Sequence, residues 1–212
     1  MLISPSLEIL NKLIRHQISN LFLLEKDEDE VLTRVLPQVL EKTESCFGKS
    51  GNKYYRKNGE VFFSIYHSGQ YCIFLYFLSR QIFISVPDNR ALADKVYYLN
   101  KTLNGLDIYY EVVMPSVFHL DHPMGSVMGR ASYGESFTFS QHCTVGNNKN
   151  IFPKIGKDVT MLSGSKIVGN CFIGDNVVVA ANAYIKDTDI PENSLVFGSS
   201  PNLVIKRRKV RE

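Results

Sequence analysis

Residues Ile155 to Ile185 read IGKDVT MLSGSK IVGNCF IGDNVV VAANAY I, and the apolar residues in this stretch recur every six positions. Ile155, Met161, Ile167, Ile173, Val179 and Ile185 keep that interval without a slip. Four residues after each of the first five stand Val159, Ser165, Cys171, Val177 and Ala183, all small or β-branched. A six-residue repeat marks a parallel β-helix in which each hexad forms one flat side of a triangular coil. Both sets are expected to point inward, one bulky and one small residue per side. Gly156, Gly164, Gly169, Asn170, Gly174, Asp175, Asn176 and Asn182 are expected at the corners, where positive φ costs these residue types little.

The same phase runs upstream through Val145, Phe139 and Tyr133, with two irregularities. Met128-Gly129 precedes Tyr133 by five residues rather than six, and Asn147 to Phe152 breaks the pattern as a loop pushed out of the coil. Loops on such a scaffold are where function usually sits.

Before Gly105 the spacing is helical. Leu10, Leu13, Ile14, Ile18, Leu21 and Phe22 form one stripe and Val31, Leu32, Val35, Leu36, Val39 and Leu40 another. Ser4-Pro5 is expected to open the first helix. Asp88 is expected to cap a third, with face Leu92, Val96, Leu99 and Leu103 and with Gly105 at its end. Asn58-Gly59 predicts a short hairpin within Tyr54 to Tyr66, and Tyr71 to Phe83 a central buried helix. The layout is α+β: a mainly helical domain over 1–105, a β-helix over 106–205 and a basic tail over 206–212.

Hydrophobic residues make up 44 % of the 212 positions and charged residues 21 %, a globular composition that excludes disordered and fibrous classes. The formal charge of +3 is too small to argue for a nucleic-acid partner. The amino end carries no basic segment followed by a long apolar run, so no secretory signal is expected, and no window reaches the length of a membrane span. Cys46, Cys72, Cys143 and Cys171 are far apart with no CxxC, as expected of free buried thiols in a reducing cytoplasm.

Outward polar residues on a β-helix wall are the candidates for chemistry, and the densest set is Phe118-His119-Leu120-Asp121-His122-Pro123 followed by Gln141-His142. Three of the chain's five histidines lie here. Leu120-Asp121-His122 with Gly125, Cys143-Thr144-Val145-Gly146, Pro153-Lys154-Ile155-Gly156 and Ser199-Ser200-Pro201-Asn202 together resemble the hexapeptide-repeat acyltransferases, most of all the serine O-acetyltransferases. The resemblance runs from about residue 119 to 206. It implies a helical amino-terminal domain leading into a left-handed β-helix.

The resemblance also implies site residues. The family's catalytic histidine falls on His122 and its orienting aspartate on Asp107, with His142 beside the substrate. Asp121, next to His122 and expected on the opposite face because successive strand side chains alternate, is read as an acceptor-contacting group. An imidazole with a pKa near 6.5 can take the proton of an acceptor hydroxyl as it attacks a thioester, and a carboxylate on the other ring nitrogen fixes the tautomer. Acetyl-CoA, the implied co-substrate, would lie along the wall at Gly146, Asn147 and Asn148 near the thioester and at Ser163, Gly164, Ala180 and Ala181 along the pantetheine arm. Small residues at these positions serve equally to make corners. Lys206, with Arg207, Arg208 and Lys209, either meets the nucleotide phosphates or is a solvated terminus. No metal is expected, and the assembly implied is a homotrimer or a pair of trimers with the cofactor between subunits.

One departure concerns the acceptor. Where the family's loop ends in Arg-His, which bind the carboxylate of serine, this chain has Ile151-Phe152. An unpaired carboxylate in such a site is costly. Phe152 therefore favours a non-serine acceptor, such as a sugar or saccharide hydroxyl, over serine. Two rival readings remain at this stage: a non-catalytic β-helix that binds or assembles, and a γ-carbonic-anhydrase-like zinc enzyme using His119, His122 and His142.

Overall fold

The computed structural model describes residues 1–208, so Lys209 and the rest of the expected basic tail lie outside the described residues. The chain divides into two compact units after Asn104.

The first unit holds four helices: α1 (Leu7–Leu21), α2 (Lys26–Lys49), α3 (Ser68–Ser85) and α4 (Ala91–Asn104). α1 buries Leu10, Ile14 and Ile18, a narrower stripe than expected because Leu21 is exposed. It starts two residues later than Ser4-Pro5 suggested. Ser4 ends a short strand (Leu2–Ser4), and the hydroxyl of Ser6 accepts the Ile9 N–H instead. The Asn58-Gly59 hairpin forms between Arg56–Lys57 and Glu60–Ser64, with positive φ at both turn residues. α3 is buried on nearly every face from Gly69 to Ile82, which is why it reads as apolar without a stripe. At α4 the Ala91 N–H goes to the Asn89 carboxamide, so the capping role expected of Asp88 falls one residue on, and Leu103 is exposed. All four cysteines are free and buried, and burial pushes the Cys72 thiol up to about 12.

The second unit is a parallel β-helix. Ile155 pairs with Ile173, Met161 with Val179 and Ile167 with Ile185, so a regular coil is eighteen residues, three sides of six. The six residues of the aliphatic series and the five of the small series are all buried. This follows from the narrow axis of a triangular prism, where three sides meet and only one large side chain per side fits.

Two insertions stand out against that regular register. Tyr133 pairs with Ile155, Phe139 with Met161 and Val145 with Ile167, each twenty-two apart, so the Asn147–Phe152 segment adds four residues to one coil. From Leu120 to Met128 the chain takes eight residues where the next coil, Phe139 to Val145, takes six. These are the places where backbone leaves the prism.

Positive φ occurs at Ser136, Asp158, Asn176 and Asn193 along one edge and at Gly164, Gly169 and Asn182 elsewhere, but not at Gly156 or Gly174. Those two are small for another reason: a Cβ on Gly156 would lie 2.4 Å from Asp175 Oδ1, and one on Gly174 2.4 Å from the Glu192 backbone nitrogen. The coil closes with strand Ser194–Ser199, which pairs antiparallel with Asn202–Arg207. Lys206 and Arg207 thus belong to a strand rather than to a loose tail, and the Lys206 ammonium sits 5.7 Å from the centre of the Phe197 ring.

Candidate active site

The two extra residues between Leu120 and Met128 lift the backbone at the first corner of the first coil. The root of this turn is pinned by the Asp121 N–H, which donates to Phe139 O at 2.9 Å, and its apex by the Met124 N–H, which donates to His122 O at 2.8 Å. His122 itself has φ 50, and its side chain is 86 % exposed. The ring therefore stands outside the prism. Asp121 was expected on the opposite face from His122, by strand alternation. Both residues lie in the corner instead, where alternation does not hold, and Asp121 Oδ1 is 3.5 Å from His122 Nε2.

The same corner carries His142 in the second coil. Its φ is 58, and its ring lies against Gly125, where a Cβ would fall 2.4 Å from Nδ1. In the third coil the corner is Ser163-Gly164, with the Gly164 N–H on Gln141 O at 2.9 Å. In the fourth it is Ala180-Ala181-Asn182, with the Asn182 N–H on Ser163 O at 2.9 Å. One edge of the prism thus presents, coil by coil, His122, His142, Ser163 with Gly164, and Ala180 with Ala181. Six of the expected site residues, distant in sequence, form one line. The physical cause is the coil period itself, which returns the chain to the same corner once per turn.

Asp107 begins the side next to this edge. It is half-buried and bridges Val127, its N–H donating to Ser126 O and its carbonyl accepting the Met128 N–H, both at 2.9 Å. Gly146, Asn147 and Asn148 occupy the far edge of that side. Lys149 and Asn150 form a tight turn there with φ 51 and 63, closed by Asn148 N–H to Ile151 O at 3.1 Å and Ile151 N–H to Asn148 O at 2.9 Å. The Asn148 N–H is therefore already engaged and is not a free donor for an oxyanion. Phe152 follows the turn and is 38 % exposed. Lys206, on the closing hairpin, is not in the corner line.

The two explanations for small residues, corner-making and close ligand approach, separate here. Gly164 has φ 73, and a Cβ would meet Asn182 Oδ1 at 2.3 Å, so the fold requires glycine. A Cβ on Gly146 would meet nothing within 4 Å, so packing does not explain it. Gly146 leaves backbone open to an incoming molecule.

Sequence reading missed Asp187. Its Oδ1 accepts the Asn170 N–H at 2.8 Å and its Oδ2 accepts Asn148 Nδ2 at 2.5 Å. The backbone N–H of Asn170, and after it the Asn148 carboxamide, hold its carboxyl below the ordinary carboxylate value. A depressed pKa contributes stability that is present above the ordinary value and lost as pH falls through the folded one. The partners are 39 residues apart and no local motif marks them. Among the described residues, no three His, Cys, Asp or Glu side chains are grouped to hold a metal ion.

No protein-family model matches the sequence. Among curated proteins, a serine acetyltransferase of Helicobacter pylori is 27 % identical over 122 residues, 55 % of this chain and 71 % of that protein. One from Staphylococcus aureus is 28 % identical over 124 residues, 56 % of this chain and 57 % of that protein, so the chain spans little more than half of the latter's length. Among solved structures, the serine acetyltransferase of Neisseria gonorrhoeae superposes with a TM-score of 0.71 at 22 % identity, over 95 % of this chain and 80 % of that one. A serine acetyltransferase solved in complex with CoA gives 0.67 at 16 % identity, over 93 % and 83 %. The chain is thus serine acetyltransferase-like: it is similar in sequence to serine acetyltransferases over little more than half of its length and shares their helical-then-β-helix fold.

Proposed function

We propose that the protein is an acetyl-CoA-dependent O-acetyltransferase that passes the acetyl group directly to a hydroxyl of a small acceptor. The observation that carries this reading is the exposed imidazole of His122 at the head of the edge formed by His142, Ser163, Gly164, Ala180 and Ala181. In this mechanism His122 takes the acceptor's hydroxyl proton as the oxygen attacks the thioester carbonyl of acetyl-CoA. The tetrahedral adduct expels the CoA thiolate, which recovers the proton from the imidazolium. Asp121, 3.5 Å from Nε2, stabilises the charged ring, and Asp107 orients it as the family resemblance implies. The resemblance assigns backbone donors near Gly146 and Asn147 to the developing oxyanion; these lie at the far edge of the side from His122, so the pairing is one made across the subunit boundary.

The acceptor is serine or a sugar or saccharide hydroxyl, and the aromatic face of Phe152 in place of a carboxylate anchor favours the latter. Three flat sides per coil suit a homotrimer, alone or paired, with acetyl-CoA between subunits. The four buried free thiols suit a cytoplasmic enzyme, and no helix among the described residues is long and apolar enough to cross a membrane.

Purified protein with acetyl-CoA should release CoA thiol on addition of serine or of hydroxylated sugars. Release with no acceptor in a broad panel overturns the reading. The glycine contrast supplies a sharper check. Gly146→Ala should melt no lower than the parent, because it adds a methyl group to open space and removes unfolded-state freedom. Its KM for acetyl-CoA should rise about tenfold, since the methyl group stands where the cofactor approaches. Gly164→Ala should lose about 1–3 kcal/mol in urea unfolding from strain and overlap. An unchanged acetyl-CoA KM in Gly146→Ala would remove that glycine from the cofactor path.

A further inference from the structure

We propose that Asp187 is a positioning residue: its carboxylate reaches from the fourth coil across Gly169 to the Asn148 side chain and sets the loop that meets the acceptor. The inference rests on the transferase reading above. The loop is the four-residue excess between Val145 and Ile155, and nothing in the hexad repeat fixes its direction. Its turn residues Lys149 and Asn150, and Ile151 after them, are exposed, and the two backbone bonds between Asn148 and Ile151 tie the loop only to itself. Asn148 Nδ2 on Asp187 Oδ2 connects it to the body of the prism through a side chain.

The intervening coil is shaped for this reach. Gly169 lies between the two, with φ 84. A Cβ there would fall 2.1 Å from Asp187 Oδ1 and 2.7 Å from Asn148 Cβ, so any side chain would displace both partners. Asp187 is itself fixed from the other oxygen by the Asn170 N–H at 2.8 Å. A carboxylate held at one end and accepting from the Asn148 carboxamide through its other oxygen gives a charge-assisted bond, stronger than a neutral pair. The loop base is thereby anchored two coils away, close to Phe152.

The test uses the full chain. Asp187→Ala should raise the KM for the acceptor about tenfold with kcat changed less than twofold and the acetyl-CoA KM unchanged, the split expected when a contact orients substrate rather than reacts. Trypsin should cut after Lys149 several times faster than in the parent, an assay that needs no turnover. Asn148→Ala should reproduce the faster cleavage, and the double variant should be cut no faster than either single one, because both remove the same bond. Asp187→Asn keeps an acceptor for Asn170 and can pair with Asn148 only as a neutral carboxamide after the latter turns over, so it should show the loop effects in weaker form with an unfolding midpoint close to the parent's. If Asp187→Ala and Asp187→Asn leave both the acceptor KM and the cleavage rate unchanged, the proposal is overturned. Faster cleavage with an unchanged acceptor KM also overturns it, since the loop would then be anchored but irrelevant to the acceptor. If the parent acetylates no acceptor, the transferase reading fails. The anchoring of the loop by Asp187 is then decided by the trypsin cleavage rates alone.

Discussion

Replacement of His122 by asparagine should lower kcat for acetyl transfer by about 10²- to 10⁴-fold, the range general-base removal produces. Asparagine is the informative choice because residue 122 has φ 50, a left-handed conformation that asparagine tolerates well, whereas alanine would add strain to lost chemistry. With the side chain 86 % exposed, the substitution takes nothing from the core, so the melting temperature should stay within about a degree or two of the parent's. The KM for acetyl-CoA should hold, because the imidazole acts on the acceptor hydroxyl rather than on the cofactor. The check is a steady-state assay of thiol release beside a thermal melt. A variant that keeps more than about a tenth of the parental kcat would show that another group takes the proton, and His142, one coil along the same edge, is the neighbour to replace next. Asp121→Asn should have a smaller effect in the same direction, since it removes charge stabilisation and leaves the base.

The second large effect is on stability and lies in the helical unit. Lys95 on α4 donates to both oxygens of Glu28 at 2.6 and 2.7 Å and to Leu23 O at 2.7 Å. Glu28 also accepts the Glu25 N–H at 2.9 Å, closing the start of α2. The side chains are 19 % and 6 % exposed. A carboxylate so enclosed depends on its cation, and Lys95→Met should destabilise the protein by about 3–5 kcal/mol through the charge left behind. Glu28→Gln together with Lys95→Met should recover most of that loss, because the carboxamide keeps a hydrogen-bond acceptor and carries no charge to strand. Urea unfolding of the three proteins measures it. A loss below about 1 kcal/mol in Lys95→Met would mean that water reaches Glu28 and screens it as at an ordinary surface pair.

The β-helix was legible because its cause is local and periodic. Each hexad obeys the same rule, one large and one small inward residue, so the phase from Tyr133 to Ile185 and both irregularities could be counted without coordinates. The helical stripes and the Asn58-Gly59 hairpin were legible for the same reason, since i to i+4 spacing and positive φ are properties of neighbouring residues. Helix starts were less so. Ser4 and Asp88 are competent caps, but Ser6 and Asn89 stand nearer the first free N–H groups, a difference that the strand Leu2–Ser4 and the turn before α4 decide.

The sequence by itself therefore determined the class of fold, the coil period and the position of the insertion at Asn147 to Phe152, while the longer path from Leu120 to Met128 came only from the strand register. The sequence also placed the histidines at the start of the coil, because these features repeat or lie side by side along the chain. Only the tertiary structure decided that residues 121 and 122 share a corner and face the same way, and that Gly146 is open while Gly164 is required. It alone revealed that Asp187 holds Asn148. Each of these depends on which coils stack against one another, and contacts between coils join residues about eighteen or more positions apart whose chemistry carries no mark of the pairing.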